Sequence, residues 1–228
     1  MAYTCSGSTN AELIENMHAN DLIKSKVVKD AFEKVDRKNY VLDKRSAYVD
    51  SPQSIKYGAT ISAPHMHAYA AEYLLPFLKP GSKVLDVGSG SGYTCAVFHH
   101  LVSPKGKVVG IDHIPELVAY SLDNLRNDGL TEAINAKVIE VHAGDGREGW
   151  PSEGPYDAIH VGAAAFPIPK PLINQLASPG RMFVPVGDSE QKIVVIDKDE
   201  DGKVVEKELF GVQYVPLTNK DDQLKYAY

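Results

Sequence analysis

Cysteine is scarce. The 228 residues contain two, Cys5 and Cys95, far apart in the chain. That spacing excludes a disulfide framework and reads as free thiols in a reducing compartment. No apolar run approaches the roughly 20 residues of a membrane-spanning helix. The opening Met1-Ala2-Tyr3-Thr4-Cys5 has neither the basic segment nor the apolar core of a secretory leader. A cytoplasmic protein with no membrane partner is therefore expected. Positive charge is short as well: 24 Lys+Arg against 30 Asp+Glu give a net charge of −6. The lysines are scattered, with Lys24, Lys26, Lys29 and Lys34 reading as a solvated helix face, so no nucleic-acid partner is expected. No metal is expected either. His65 and His67 stand two apart on a presumed helix and point to different sides, and no Cys or Glu cluster adds ligands. Repeats and low-complexity segments are lacking. The 43% hydrophobic content and the length suit one α/β domain with an N-terminal elaboration.

The most informative stretch is Lys83-Val-Leu-Asp-Val-Gly-Ser-Gly-Ser-Gly-Tyr-Thr94. Val84, Leu85 and Val87 make the short apolar run of a buried parallel strand, and Tyr93 to Val102 reads as the helix after it. Gly88, Gly90 and Gly92 between them allow a tight turn and the close approach of a ligand to the main chain. The dinucleotide fingerprint G-x-G-x-x-G fails, because its third glycine would fall at Tyr93. Asp86 on the strand disfavours a pyrophosphate and suits a cation. S-adenosylmethionine (SAM) has no phosphate and carries sulfonium and ammonium groups. The pattern Asp86-x-Gly88-x-Gly90-x-Gly92 resembles the first motif of the Rossmann-like SAM-dependent methyltransferases.

Around this corner the chain alternates. Thr9-Asn10-Ala11-Glu12 reads as a capping box before Leu13, Ile14 and Met17 at helical spacing. A second helix is expected from Lys26 to Val35, burying Val27, Val28, Ala31, Phe32 and Val35 and ended by the turn Asp36–Asn39. These helices could be a lid or packing. After an irregular Tyr48–Tyr57, Pro64 opens a helix with Ser62 near its cap. Ser62, His65 and His67 have two readings here: a cap with satisfied histidines, which spacing alone favours, or a polar helix N-terminus aimed at a carboxylate or the cofactor. Strands are then expected at Lys107–Asp112, Ala136–Val141, Tyr156–Val161 and Arg181–Gly187, with helices at Ile114–Asn127 and Pro169–Leu176. Alternation of this kind implies a doubly wound, mostly parallel sheet. Its ligands sit at the carboxyl ends of the strands, where the glycine turn, Asp112 and Asp145 fall. Asp112 can accept both ribose hydroxyls, and Asp145 lies where such folds meet the adenine amino group. Lys192–Asp197 and Lys203–Phe210 read as an antiparallel hairpin on the sheet edge. The expected organisation is a single domain, 1–228: N-terminal helices and acceptor loop (1–79), nucleotide-binding core (80–190), C-terminal strands and tail (191–228).

The loop after Val161 is Gly-Ala-Ala-Ala, where amine-methylating relatives of this superfamily place residues that hold a nitrogen. It offers no base, so the acceptor needs no deprotonation. A carboxylate, ionised at pH 7, fits. Transfer from sulfonium to carboxylate neutralises two charges, so alignment and exclusion of water suffice. A methyltransferase for another small acceptor, or a SAM-binding module without turnover, would share these features.

Three stretches resemble the protein L-isoaspartate (D-aspartate) O-methyltransferases, the animal form in particular, over nearly the whole chain. They are Asp50–Ile55 through Ala59-Thr-Ile-Ser-Ala-Pro-His-Met-His-Ala68; Leu85–Tyr93; and Gly144–Gly146 with Ala158–Ala165. The loop after Gly187 lacks the glycine-rich insert of vertebrate members. The resemblance implies a SAM-dependent repair enzyme, leaving S-adenosylhomocysteine (SAH), that acts as a monomer on isoaspartyl-containing peptides and proteins. It methylates the free carboxylate of isoaspartyl residues, and the ester closes to a succinimide that opens partly to aspartate. It also implies that Ser62 is the active-site serine, overturning the cap reading. Ala59, Thr60, Ile61, His67, Ser91, Asp112, His113, Asp145, Gly146 and Thr218 match the family's cofactor positions, beside Asp86 and Gly88 of the glycine motif. The segment before Ser62 and the run Val212–Thr218 are expected to flank the acceptor, pairing with an extended peptide.

Overall fold

The computed structural model describes residues 5–225; residues 1–4, on which the leader reading falls, lie outside the described residues. In chain order the elements are α1 (Asn10–Ala19), α2 (Lys26–Glu33), β1 (Gln53–Ser54), β2 (Thr60–Ile61), α3 (Pro64–Leu74), β3 (Lys83–Val87), α4 (Tyr93–Val102), β4 (Lys107–Asp112), α5 (Pro115–Asn127), α6 (Thr131–Asn135), β5 (Ile139–Ala143), β6 (Tyr156–Val161), α7 (Lys170–Gln175), β7 (Leu176–Val186), β8 (Gln191–Lys198), β9 (Val204–Val212) and α8 (Lys220–Lys225). Seven strands form one sheet in the order β5-β4-β3-β6-β7-β8-β9. The strands from β5 to β7 pair parallel, and β8 and β9 add antiparallel. This is the doubly wound, mostly parallel sheet with a C-terminal hairpin. The strand order reverses beside β3, which opens a crevice at the carboxyl ends of β3, β4 and β6.

Apolar residues cover both faces of the sheet. One cluster gathers α1 to α5, with Leu13, Met17, Phe32, Tyr93 and Phe98, against Val84 and Val108. The other packs Leu172 and Tyr156 against Leu85, Val109 and Ile159. The N-terminal helices are thus packing, continuous with the core: Phe32 and Tyr93 meet edge to face, centroids 6.1 Å apart. Thr9 is the N-cap of α1, its Oγ1 accepting from Glu12 N–H at 3.1 Å. The Glu12 carboxylate reaches one residue further back than a capping box requires, accepting from Ser8 N–H at 2.7 Å. Thr9→Ala is expected to cost about 1 kcal/mol, lowering the thermal midpoint by about 2–4 °C in a melting experiment.

Several boundaries differ from expectation. Helix α2 stops at Glu33, and Val27 in its first turn is 49% exposed, because the core lies on the Val28–Ala31–Phe32 side. An additional helix, α6, occupies Thr131–Asn135, and Lys137 takes a positive φ of 56° in the turn that follows. Strand β5 therefore starts at Ile139 and carries His142 and Ala143. Strand β7 starts at Leu176, five residues before Arg181, by pairing Leu176 with Tyr156 across a register shift.

Candidate active site

The glycine turn after β3 is held by its neighbours. Gly88 and Ser89 both donate N–H bonds of 2.9 Å to Ile111 O at the end of β4, and Gly162 donates to Val87 O at 2.8 Å. Gly92 caps α4 with φ 84°, and a Cβ there would lie 2.4 Å from Ser121 Oγ. Only glycine meets both demands.

Three spaces that share Thr60 lie at this end of the sheet, and the turn lines the first two. The first is a cleft lined by Ala59, Thr60, Gly88, Asp112, His113, Gly146, Thr218 and Gln223. Asp112 is nearly buried at the end of β4 and accepts from Gly90 N–H at 3.1 Å and Ile114 N–H at 3.0 Å. Burial pushes its carboxyl above the usual range, against those two backbone bonds. Gln223 of α8 closes the cleft: its Oε1 lies 2.7 Å from His113 Nε2, and its Nε2 donates to Tyr57 O at 2.9 Å. Asp145 stands beside the cleft without lining it. Both its oxygens accept from the Arg147 guanidinium, at 2.6 to 3.1 Å, which holds its carboxyl below the usual range.

The second space is a small chamber lined by Thr60, Ile61, Ser62, His67, Ser91, Tyr93, His160 and the glycine loop. Burial lowers the His67 imidazole well below its ordinary value, so it is neutral. The third is a groove of about 760 Å³ between the start of α3 and the end of β9, lined by Ser62, His65, Met66, Tyr69, Phe210, Val212 and Tyr214 among others. Thr60 lines all three spaces, and Ser62 lines the chamber and the groove.

Ser62 is set by its backbone. The antiparallel pairs Gln53↔Ile61 and Ser54↔Thr60 fix its approach. The N-cap of α3 is Ala63 and makes no side-chain cap bond, so Ser62 does not cap the helix. That role passes to Asp50, whose Oδ1 accepts from His65 N–H at 3.1 Å and lies 2.8 Å from His65 Nδ1. The freed Ser62 hydroxyl and the Tyr214 side chain both line the groove, and Ser62 partly offsets the burial that pushes the Tyr214 phenol up to about 12. Behind Ser62, fully buried Arg37 donates from Nη2 to Ser62 O at 2.9 Å, its guanidinium 5.4 Å from the centre of the Tyr93 ring. Burial lowers its pKa to about 10.

Asp86 lines none of these spaces. It is fully buried beneath the glycine turn, its Oδ2 accepting from Thr94 Oγ1 and Cys95 Sγ and its Oδ1 lying 2.7 Å from His160 Nδ1. Direct contact with a cationic ligand is therefore not how it acts.

The lining suits SAM. Asp112 offers carboxylate oxygens to a diol, and the small residues leave the floor open: a Cβ on Gly162 would stand 3.0 Å from Gly88 O. Ser89 Oγ and His67 Nδ1, buried without a partner, belong to residues that line the chamber. No group of three or more metal-ligating side chains exists among the described residues.

Arg37, Tyr214, His160 and Gln223 were not singled out from the sequence. Arg37 and Gln223 sit in polar stretches with no local signature. His160 did carry a signal: it and Asp86 are the polar residues at matching places in two apolar strands, Val-Leu-Asp-Val and Ala-Ile-His-Val.

Comparison with known proteins points one way. The family model of protein-L-isoaspartate(D-aspartate) O-methyltransferase matches residues 8–222. Protein-L-isoaspartate O-methyltransferase 1 of Arabidopsis thaliana is 49% identical over 216 residues, 95% of this chain and 94% of its own length. The Caenorhabditis elegans protein-L-isoaspartate O-methyltransferase is 46% identical over 225 residues, 98% of each chain. Among solved structures, a candidate enzyme of the same name from Plasmodium falciparum, in complex with SAH, superposes with a TM-score of 0.86 at 32% identity, covering 93% of this chain and 99% of its own.

Proposed function

Since the chain belongs to the protein-L-isoaspartate(D-aspartate) O-methyltransferase family, we propose that it transfers a methyl group from SAM to the free carboxylate of L-isoaspartyl and D-aspartyl residues in damaged proteins. The ester closes to a succinimide and returns in part to aspartate. The observation that carries this reading is the junction at Thr60 and Ser62, where a polar chamber beside the cofactor cleft meets a groove large enough for a peptide.

When bound, SAM would supply an electrophilic methyl group on its sulfonium for an acceptor carboxylate oxygen, with the SAH thioether as the leaving group. The chain's own residues orient and exclude. Asp112 takes the ribose end in the first cleft. Ser62, with its carbonyl pinned by Arg37 and its hydroxyl facing the groove it shares with Tyr214, orients the acceptor carboxylate by a hydrogen bond and forms no covalent link to it. Met66, Tyr69 and Phe210 wall the groove with apolar surface, which excludes water from the nucleophile. Pro52 and Val212 to Val215 border the same groove, whose length suits an extended peptide of little sequence preference. All the groove residues come from segments on either side of the 80–190 core, Pro52 to Tyr69 before it and Phe210 to Val215 after it. The whole is one domain, a reading supported by the single apolar cluster shared by α1, α2 and α4. Action as a cytoplasmic monomer without a nucleic-acid or membrane partner rests on the acidic net charge and the family resemblance. No helix among the described residues is long and apolar enough to cross a membrane.

The test uses labelled SAM and two peptides that differ only in one isoaspartyl or aspartyl residue. Base-labile methyl groups on the isoaspartyl peptide alone are expected; label on neither, with SAM still bound, would mean another acceptor or a binding module. Ser62→Ala is expected to lower kcat/KM on that peptide about tenfold, the loss of one hydrogen bond to a charged group. Full turnover by this variant would remove Ser62 from the mechanism. Tyr214→Phe is expected to produce a smaller loss, because Ser62 keeps its hydroxyl and loses only its anchor.

A further inference from the structure

Asp86 and His160 are register partners on the neighbouring parallel strands β3 and β6, so their side chains leave the sheet on the same face. Asp86 accepts from Thr94 Oγ1, from Cys95 Sγ at 3.2 Å and from His160 Nδ1 at 2.7 Å. A carboxylate only accepts, so the ring nitrogen bonded to it carries the proton, and in the neutral imidazole Nε2 presents a lone pair. The ring is fixed in that pose: it stacks on Phe183 with centroids 6.2 Å apart and meets Phe98 edge-on at 5.7 Å. His160 lines the small chamber beside Ser62 and His67, and Nε2 is the ring's remaining polar atom there.

Thr60, Gly88, Gly90 and Gly162 line both the cleft and the chamber. A ligand whose ribose lies at Asp112 runs past the glycines and ends beside His160. The amino-acid end of SAM and SAH carries a carboxylate and an ammonium group. The carboxylate is suited by the main-chain N–H groups in the first turn of α4, which has no side-chain cap and whose Tyr93 and Thr94 line the chamber. The ammonium is a donor and needs a lone pair. We propose that His160 is a cofactor-binding residue that accepts a hydrogen bond from this ammonium through Nε2, with Asp86 as the positioning residue that fixes its tautomer and supplies negative charge behind it. The proposal rests on the SAM-dependent reading above. It also gives Asp86 the cation-directed role that its burial denies it by direct contact.

The test is calorimetric binding, without turnover, of two ligands: SAH and its analogue in which hydrogen replaces the α-ammonium. The wild-type protein is expected to bind SAH at least tenfold more tightly than the analogue. His160→Asn keeps a donor for Asp86 and removes Nε2. It is expected to bind both ligands within threefold of each other, and the analogue within threefold of wild type, which also reports that the site is folded. A tenfold preference retained by His160→Asn, or absent from wild type, would overturn the proposal. Should the variant not fold, imidazole nitrogen NMR of the wild type decides: SAH is expected to shift the His160 Nε2 resonance and the analogue to leave it, whereas equal shifts would overturn the assignment. Failure of wild type to bind either ligand would instead tell against the SAM-dependent reading itself.

Discussion

Arg37→Ala is expected to destabilise the protein by about 4 kcal/mol, as when one partner is removed from a buried charged network. At this chain length, that corresponds to a fall of about 8–16 °C in thermal midpoint. Two effects combine. The substitution deletes a fully buried side chain that packs against Tyr93, leaving a cavity beneath the active-site loop. It also leaves Ser62 O without the Nη2 donor and takes positive charge away from buried Asp50, whose Oδ1 holds the start of α3. Arg37→Met separates the two, since it fills most of the volume but donates nothing. It is expected to recover part of the stability while still misplacing Ser62, so kcat on the isoaspartyl peptide stays low. Thermal unfolding and peptide turnover of both variants check this; a midpoint for Arg37→Ala within 2 °C of wild type would show that the loop stands without its anchor.

Asp112→Ala is expected to weaken SAH binding on the order of 100-fold, as charge-assisted hydrogen bonds to a diol are lost. Gly90 and Ile114 N–H also lose their acceptor, so the glycine turn and the start of α5 loosen together. Calorimetry with SAH and with its 2′,3′-dideoxy analogue separates contact from collapse. If Asp112 acts on the ribose, the variant loses much more affinity for SAH than for the dideoxy analogue, on which only the loosened backbone tells. A variant that loses SAH and the analogue equally would mean that Asp112 serves only the backbone.

The parts of this molecule that were legible in the sequence are those determined locally. Helix α4 and strands β4 and β6 begin and end where their apolar runs meet glycine, proline, serine or charge. The glycine turn and Asp112 could be read because a ligand corner is built from consecutive residues. The start of strand β7 is not legible, because Ser178-Pro179-Gly180 has the composition of a turn, yet Leu176 finds Tyr156 as a partner and the chain pairs through it. Spacing puts Ser62 beside the N-cap of α3, close enough to pass for a cap, although Ala63 holds that position. The capping carboxylate comes from Asp50, 15 residues from His65, and no local pattern announces it. Arg37 and Tyr214 were illegible for the same reason: their meaning lies in what they touch across the fold, at Ser62.

Strand β9 forms the sheet's edge and serves two ends at once. Its last residues, Phe210 to Val212, wall the acceptor groove, while its first five, Val204 to Glu208, are exposed. An open edge is a template for any unfolded chain, and an enzyme that handles damaged proteins meets many of them. Glu206, Lys207 and Glu208 interrupt the exposed valines with alternating charge, and Glu208 is tied to Lys192 at 2.6 Å. Those side chains discourage aggregation along the outer stretch, while the half-buried end of the same strand turns its surface to the groove beside Ser62.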